Sequence, residues 1–283
     1  SGGGGGALAY KNNISVTPGQ TITYFVGDGG KGATNQNNNE PDRVISGNYA
    51  QNGGFSWFNG TDQNDAVCAA QGGTGGQNYS AGGGGEFSNS TGDGGASGGN
   101  GGANGGQSSW WGFGGGAAGY SGNGGNGAVW EAGTLSGGSA GQGGGAGGGN
   151  TWAQLHGTGA FGEGASGALG EAGSGGTNGG QYPFGGQYGG GGTSHGSSSG
   201  NDNMSGCTGV VRIVWSTDGT TREFPTTNVQ YNDQGYDALL TLNTVSASVS
   251  DTDYFSKTNS GFTLNANTIL STAGAKYIFL AIA

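Results

Sequence analysis

The chain has 283 residues, 75 of them glycine, with 31% hydrophobic and 8% charged; that length allows one or two domains, while the composition excludes a large aliphatic core. Seven basic residues stand against 17 acidic ones for a net charge of −10, and no Lys or Arg occurs between Arg43 and Arg212, which excludes a nucleic-acid backbone or an anionic membrane as a partner there. No run of about 20 apolar residues is present, so no membrane span or insertion is expected.

After the opening glycines, residues 7–17 alternate sufficiently to predict a strand. Pro18-Gly19 marks a turn, and residues 20–26, with Ile22, Tyr24 and Val26 on one face, predict the returning strand of a hairpin. No charged-then-apolar leader precedes them, and a start at Ser1 directly in glycines is what a processed product or part of a longer protein would show. Between Thr34 and Ala70 glycine thins out to a polar loop, Asn35 to Asn39 with Glu40-Pro41-Asp42, and an aromatic knot, Phe55-Ser56-Trp57-Phe58. The knot reads either as cover for the side of the glycine body or as a surface binding loop.

From about Gly72 to Gly192 glycine returns at every third position, in trains such as Gly92, Gly95, Gly98, Gly101 and the unbroken series Gly164, Gly167, Gly170, Gly173, Gly176, Gly179. A period of three belongs to polyproline II, which makes no hydrogen bonds within itself. With only 4 Pro and short, interrupted trains, a collagen triple helix is not expected. The interruptions are aromatic, at Trp110-Trp111-Gly112-Phe113, Trp130, Trp152, Phe161, and Tyr182-Pro183-Phe184 with Tyr188, and disordered segments are poor in aromatics. The expected arrangement is a polyglycine II bundle, in which extended chains approach backbone to backbone and bond sideways.

Ordering each glycine costs about 1–2 kcal/mol or more, and each interchain hydrogen bond returns only about 0.5–1.5 kcal/mol. Such a bundle needs its ends clamped. Residues 209–215, with Val210-Val211-Arg212-Ile213-Val214-Trp215, predict a buried strand that joins the first hairpin and supplies the clamp. From Pro225 glycine becomes scarce, and strand-like runs at 238–242, 245–249, 261–264 and 276–282 predict a small β module. The fold class is therefore mainly β and irregular with little or no α-helix. Domains are expected at 1–227 (the clamped glycine bundle) and 228–283 (the C-terminal module), the latter marginal by itself and expected to pack on the first domain or on another subunit.

The polar residues do not frame a reaction. His195, among nearby hydroxyls, lacks a nucleophile elbow, and the scattered acids Asp62, Asp65, Glu86, Asp93, Glu131, Glu163 and Glu171 serve solubility more readily than glycoside hydrolysis. The G-x-G-x-x-G matches carry no information in so glycine-rich a chain. Asn201-Asp202-Asn203 and Asp62-Gln63-Asn64-Asp65 lack the spacing of a calcium loop, and Cys68, Cys207 and the histidines do not cluster as a zinc site would. No catalytic residue, metal or cofactor is expected, and whether Cys68 and Cys207 form a bridge stays open. What remains is the aromatic loops. Trp110, Trp111, Phe113, Trp152, His156, Tyr182, Phe184 and Tyr188 stand among Asn, Gln, Ser and Thr, a mixture suited to sugar rings and exposed membrane-protein loops. They are the candidate receptor-binding residues, and the same rings could instead cap the bundle ends.

Three stretches carry a resemblance: Ile14-Ser15-Val16-Thr17-Pro18-Gly19-Gln20-Thr21-Ile22-Thr23, then Val26-Gly27-Asp28-Gly29-Gly30, then Cys207-Thr208-Gly209-Val210-Val211-Arg212-Ile213-Val214-Trp215. Together, over residues 1–228, they resemble the glycine-rich domain of bacteriophage tail fibre and other virion proteins, notably of marine phages, and the body is similar to the polyglycine II sandwich of a phage tail fibre adhesin. The ending, with Ser260-Gly261-Phe262-Thr263-Leu264 and Lys276-Tyr277-Ile278-Phe279, also resembles segments of phage structural proteins. The resemblance implies a non-enzymatic virion protein, a tail fibre or adhesin module that meets a bacterial surface glycan or outer-membrane protein and assembles as a homo-oligomer with other virion proteins. The alternative is a fibre, or a head or tail decoration, in which the glycine bundle is a rigid spacer. An ice-binding or matrix protein is a remoter reading, because bulky loops interrupt the flat face it would need.

Overall fold

The computed structural model of the chain describes residues 1–17, 19–34, 44–46, 50–77, 79–103, 111–150, 156–178, 186–193, 205–213, 229–233, 236–240, 255–258 and 261–264. It divides into two units, Ser1–Arg212 and Ile213–Ala283, a boundary earlier than the sequence suggested. The class is as expected: short strands in small, mostly antiparallel sheets joined by extended backbone, with one 3-10 turn at Phe87–Asn89 as the sole helical element among the described residues.

Residues 1–7 show how the first unit is held together. Their N–H groups turn to a different neighbour at each step and return to the same one at every third. Gly2 and Gly5 donate to Gly102 and Gly99, Gly3 and Gly6 to Gly192 and Gly189, and Gly4 and Ala7 to Thr74 and Gln71, at 2.7–3.0 Å. The carbonyls of Gly2 and Gly5 accept from Gly82 and Gly85, and those of Gly3 and Gly6 from Gly115 and Ala118. A strand can bond only to its left and right, whereas this segment is bonded on several sides. The step of three recurs outward: Gly98 and Gly101 donate to Gly85 and Gly82, Gly116 and Phe113 donate to Gly125 and Ala128, and Gln51 and Gly54 donate to Lys31 and Asp28.

Glycine is required where these segments cross. A Cβ on Gly4 would lie 2.0 Å from the carbonyl oxygen of Gly83, and one on Gly5 2.0 Å from that of Gly116. The core has correspondingly little side-chain volume. Among the described residues the buried apolar ones are alanines (Ala66, Ala69, Ala96, Ala117, Ala118, Ala128 and Ala146) with Phe113 and Tyr120, so backbone hydrogen bonding there replaces much of the usual apolar contact.

The strands fringe this body. β1 (Leu8–Tyr10) pairs antiparallel with β7 (Gly94–Ala96); β2 (Tyr24–Phe25), β5 (Ser56–Phe58) and β6 (Cys68–Ala70) form a three-stranded sheet in the order β2-β5-β6; β3 (Gly32–Thr34) and β4 (Val44–Ser46) pair in parallel. A third sheet has the order β10-β9-β8, from β8 (Trp111–Gly112), β9 (Ala128–Glu131) and β10 (Thr134–Gly137).

Two expectations need correction. The opening strands do not pair with each other: a turn closes between Thr17 and Gln20, with Gly19 at φ +83°, but β1 and β2 are drawn to β7 and β5 instead. Nor is the closing segment a buried strand over residues 209–213; Val210, Val211 and Arg212 are half-buried and Ile213 is 39% exposed. It still lies beside the opening segment, because Gly206 and Gly209 donate to the carbonyls of Gly30 and Gly27 at 2.9 Å. Glycine on both sides lets the backbones meet as residues 1–7 meet their neighbours, with no sheet. The long train from Gly164 also bends, at Gly170 (φ +86°), Ser174 (φ 45°) and Gly175 (φ +73°).

The end of the first unit is tied by side chains. The Tyr120 hydroxyl donates to Gly159 O at 3.1 Å and accepts from Gly162 N at 3.0 Å, and burial pushes its pKa up to about 12. Arg212 Nη1 donates to Ala160 O at 2.9 Å while its guanidinium lies 4.9 Å from the Phe161 ring centroid.

The second unit contains two antiparallel hairpins, β11 (Val229–Asp233) with β12 (Tyr236–Leu240) and β13 (Phe255–Thr258) with β14 (Gly261–Leu264). The runs expected at 245–249 and 276–282 lie outside the described residues.

Candidate functional site

The candidate receptor residues separate into three groups. Trp110, Trp152, Tyr182 and Phe184 lie outside the described residues. Phe113 and His156 are the largest fully buried side chains, each 1% exposed, and a ring without a free face cannot meet a receptor; both are corrected here to core residues. Trp111 and Tyr188 are half-exposed. The backbone of Tyr188 exchanges hydrogen bonds with Thr158 at 3.1 and 3.2 Å, which fixes the base of its side chain.

Trp111 does not act from a loop tip. It sits on β8 in register with Trp130 on β9, and the two rings stack with centroids 6.1 Å apart and planes 10° from parallel. Offset stacking at that distance contributes about 0.5–1.5 kcal/mol beyond burial. On the other side of Trp130, Leu135 of β10 is its register partner and is 38% exposed. The sheet thus carries a half-exposed apolar platform of Trp111, Trp130 and Leu135. Trp130 was legible as an aromatic interruption but not as part of a site; the signal was Ala128-Val129-Trp130-Glu131 followed by Ala132-Gly133, a strand and a two-residue turn whose φ values are 46° and +90°.

The aromatic knot forms a second exposed surface. Phe25 and Trp57 are register partners and stack at 6.0 Å and 19°, and Tyr24 is paired with Phe58. Tyr24 is 62% and Phe25 49% exposed. The knot therefore belongs to β5 and is joined by rings from β2.

His156 is held for packing. Its Nδ1 lies 3.3 Å from Asn178 Oδ1, and burial lowers its pKa, favouring the neutral ring. Two of the acids are occupied as well. Asp65 accepts from the backbone N–H groups of Thr61 and Asp62 and from the Thr61 hydroxyl, bonds that lower its pKa, while Asp93 pairs with Lys11. Cys68 and Cys207 are not bridged, and burial pushes the Cys68 thiol up to about 11, which makes it a poor nucleophile. Among the described residues no group of three or more His, Cys, Asp or Glu is placed to hold a metal ion, and no helix is long and apolar enough to cross a membrane. Residues 201–203 and His195 lie outside the described residues.

Compared with protein-family models, curated proteins and solved structures, the chain matches none.

Proposed function

We propose that this chain is a non-enzymatic bacteriophage virion protein, a tail fibre or adhesin module that recognises a bacterial surface receptor through exposed aromatic side chains. The observation that carries the reading is the stacked Trp111–Trp130 pair with Leu135, a half-exposed apolar platform on a sheet whose central strand is bonded into the glycine body. Aromatic anchors fixed by packing lose little entropy on binding and dominate recognition surfaces. The period-three hydrogen bonds support reading the body as a polyglycine II bundle, a stiff support made almost without side chains. The partner would be a surface glycan or an outer-membrane protein.

Binding of the labelled full chain to cells of candidate hosts tests this. Saturable binding that falls at least about tenfold in Trp111→Ala and Trp130→Ala, a loss of ~1.4 kcal/mol, is expected. Binding that survives both substitutions would remove the aromatic platform from the mechanism. A second reading, a structural fibre or decoration subunit with the bundle as spacer, draws on the exposed rings of Tyr24 and Phe25, which another subunit could cover. It predicts discrete oligomers in sedimentation, lost on deletion of residues 228–283.

A further inference from the structure

On one face the bundle's outer N–H groups meet no further backbone and are taken up by side-chain oxygens in two ladders. In the first, Gly84 N–H donates to Asn100 Oδ1, Asn100 N–H to Asn126 Oδ1 and Asn126 N–H to Ser139 Oγ, each at 2.9 Å. In the second, Phe87 N–H donates to Ser97 Oγ at 2.9 Å and Ser97 N–H to Asn123 Oδ1 at 3.1 Å. An asparagine amide has one accepting oxygen and an NH2 with two donors. A backbone N–H can bond only the oxygen, so the chemistry itself fixes which way each amide is turned. Asn100, Asn123 and Asn126 are all exposed, with their oxygens held by the backbone. Their NH2 groups form a preset donor array.

That array lines an open groove of about 470 Å³ together with Glu86, Ser139 and Gln142, within the ~300–1,000 Å³ usual for small-molecule sites. Among the described residues no Lys or Arg lines it, and the chain carries a net charge of −10, which opposes an anion. A single carboxylate among amide donors does not make a cation site, and apart from Ala140 the described lining has no apolar side chain to hold a hydrophobic ligand. The fitting ligand is uncharged and dense in hydroxyls: hydroxyl oxygens accept from the amide NH2 groups, and hydroxyl protons go to Glu86 and the Gln142 side-chain oxygen. We propose that this groove binds a neutral oligosaccharide. The site is separate from the Trp111–Trp130 platform and does not depend on the virion reading. Because the amides are already oriented, binding pays little to order them.

Side-chain NH2 signals of Asn100, Asn123 and Asn126 in the 15N-labelled full chain, titrated with maltohexaose, cellohexaose and chitohexaose, provide the test, with a hexagalacturonate as the anionic control. Saturable shifts of these signals with at least one neutral sugar, and none with the anionic one, are expected. The double variant Asn100→Asp/Asn126→Asp keeps an oxygen on each backbone N–H but lacks the NH2 donors, so it should fold and bind at least about tenfold more weakly. Gln142→Ala, a substitution outside both ladders, gives a second reading with the same expected direction should the double variant unfold. No shift with any of the three neutral sugars to ~10 mM, where a Kd of about 1 mM would be saturated, overturns the proposal. So does unaltered affinity in the folded variants. Since the readout is the groove's own amides, loss of cell binding with these shifts intact counts only against the aromatic platform.

Discussion

Gly4 and Gly83 face each other across the bundle but have opposite requirements. A Cβ on Gly4 would strike the Gly83 carbonyl at 2.0 Å, whereas one on Gly83 would find only Thr74 Oγ1 at 3.5 Å and Asn100 Oδ1 at 3.9 Å. Gly4→Ala should therefore destabilise the first unit by about 1–3 kcal/mol or more, while Gly83→Ala should be neutral or gain up to ~1 kcal/mol from a less flexible unfolded chain. Urea denaturation of the two variants checks the contrast; equal losses would mean that glycine is not required for close approach there. The count of 75 glycines predicted close approach in general, but which glycines are obligatory was not legible, because that depends on which carbonyl each one meets.

His156 makes a pH prediction. Burial lowers its folded pKa below the ordinary 6.5, so the unfolded chain binds a proton that the folded chain refuses. Stability is then fully present above about 6.5 and falls as pH drops below it, by at most ~1.4 kcal/mol per pH unit from one group. The difference between the native chain and His156→Gln isolates the ring: the urea midpoint of the native chain should fall more steeply from pH 7 to pH 5 than that of the variant. Parallel curves would mean that the ring takes up its proton while folded. In the sequence His156 stood among aromatic loop residues, with nothing to show that it faces inward; burial is a property of the assembled segments and of Asn178, 22 positions away.

Among elements, the β9–β10 hairpin was hidden by its turn. Ala132-Gly133 lacks the Asn-Gly or Asp-Gly signature, although both residues have positive φ, 46° and +90°. Alanine in the left-handed region costs roughly 1–2 kcal/mol, so Ala132→Asn should raise stability by about 0.5–1 kcal/mol without disturbing the Trp111–Trp130 stack. Thermal unfolding together with near-ultraviolet circular dichroism of the tryptophans reads both effects. The Tyr120 tie makes the converse case. Tyr120→Phe keeps the ring but leaves Gly159 O and Gly162 N without that hydroxyl, and a loss of about 1–3 kcal/mol is expected. The glycine trains themselves were legible because period three is unlike helix or strand. The strand partners in the first unit were not, since runs of two to four residues carry too little alternation to fix a register.

For the molecule as a whole, sequence and structure agree on a mainly β and irregular chain with a glycine body and a glycine-poor end. The first unit runs to Arg212, whose side chain is fastened within it, to Ala160 and over Phe161; a change in composition at Pro225 does not carry such a contact. The closing segment was expected to meet the opening one as a strand, since β-branched Val210 and Val211 suggested a sheet, whereas Gly206 and Gly209 make the bonds between them.

The bonding of residues 1–7 also sets an order of events. Gly3 and Gly6 donate to Gly192 and Gly189, so during synthesis residues 1–7 leave the ribosome long before those partners exist. At about 5–20 residues per second, the wait is on the order of ten seconds or more. The body closes only after its late segments arrive, and contacts so distant in sequence make closure slow. Until then the opening glycines remain a flexible, solvated thread, with little apolar surface to attract other chains. A central segment with almost no side chains is thus suited to being made well before its late partners and used only when they arrive.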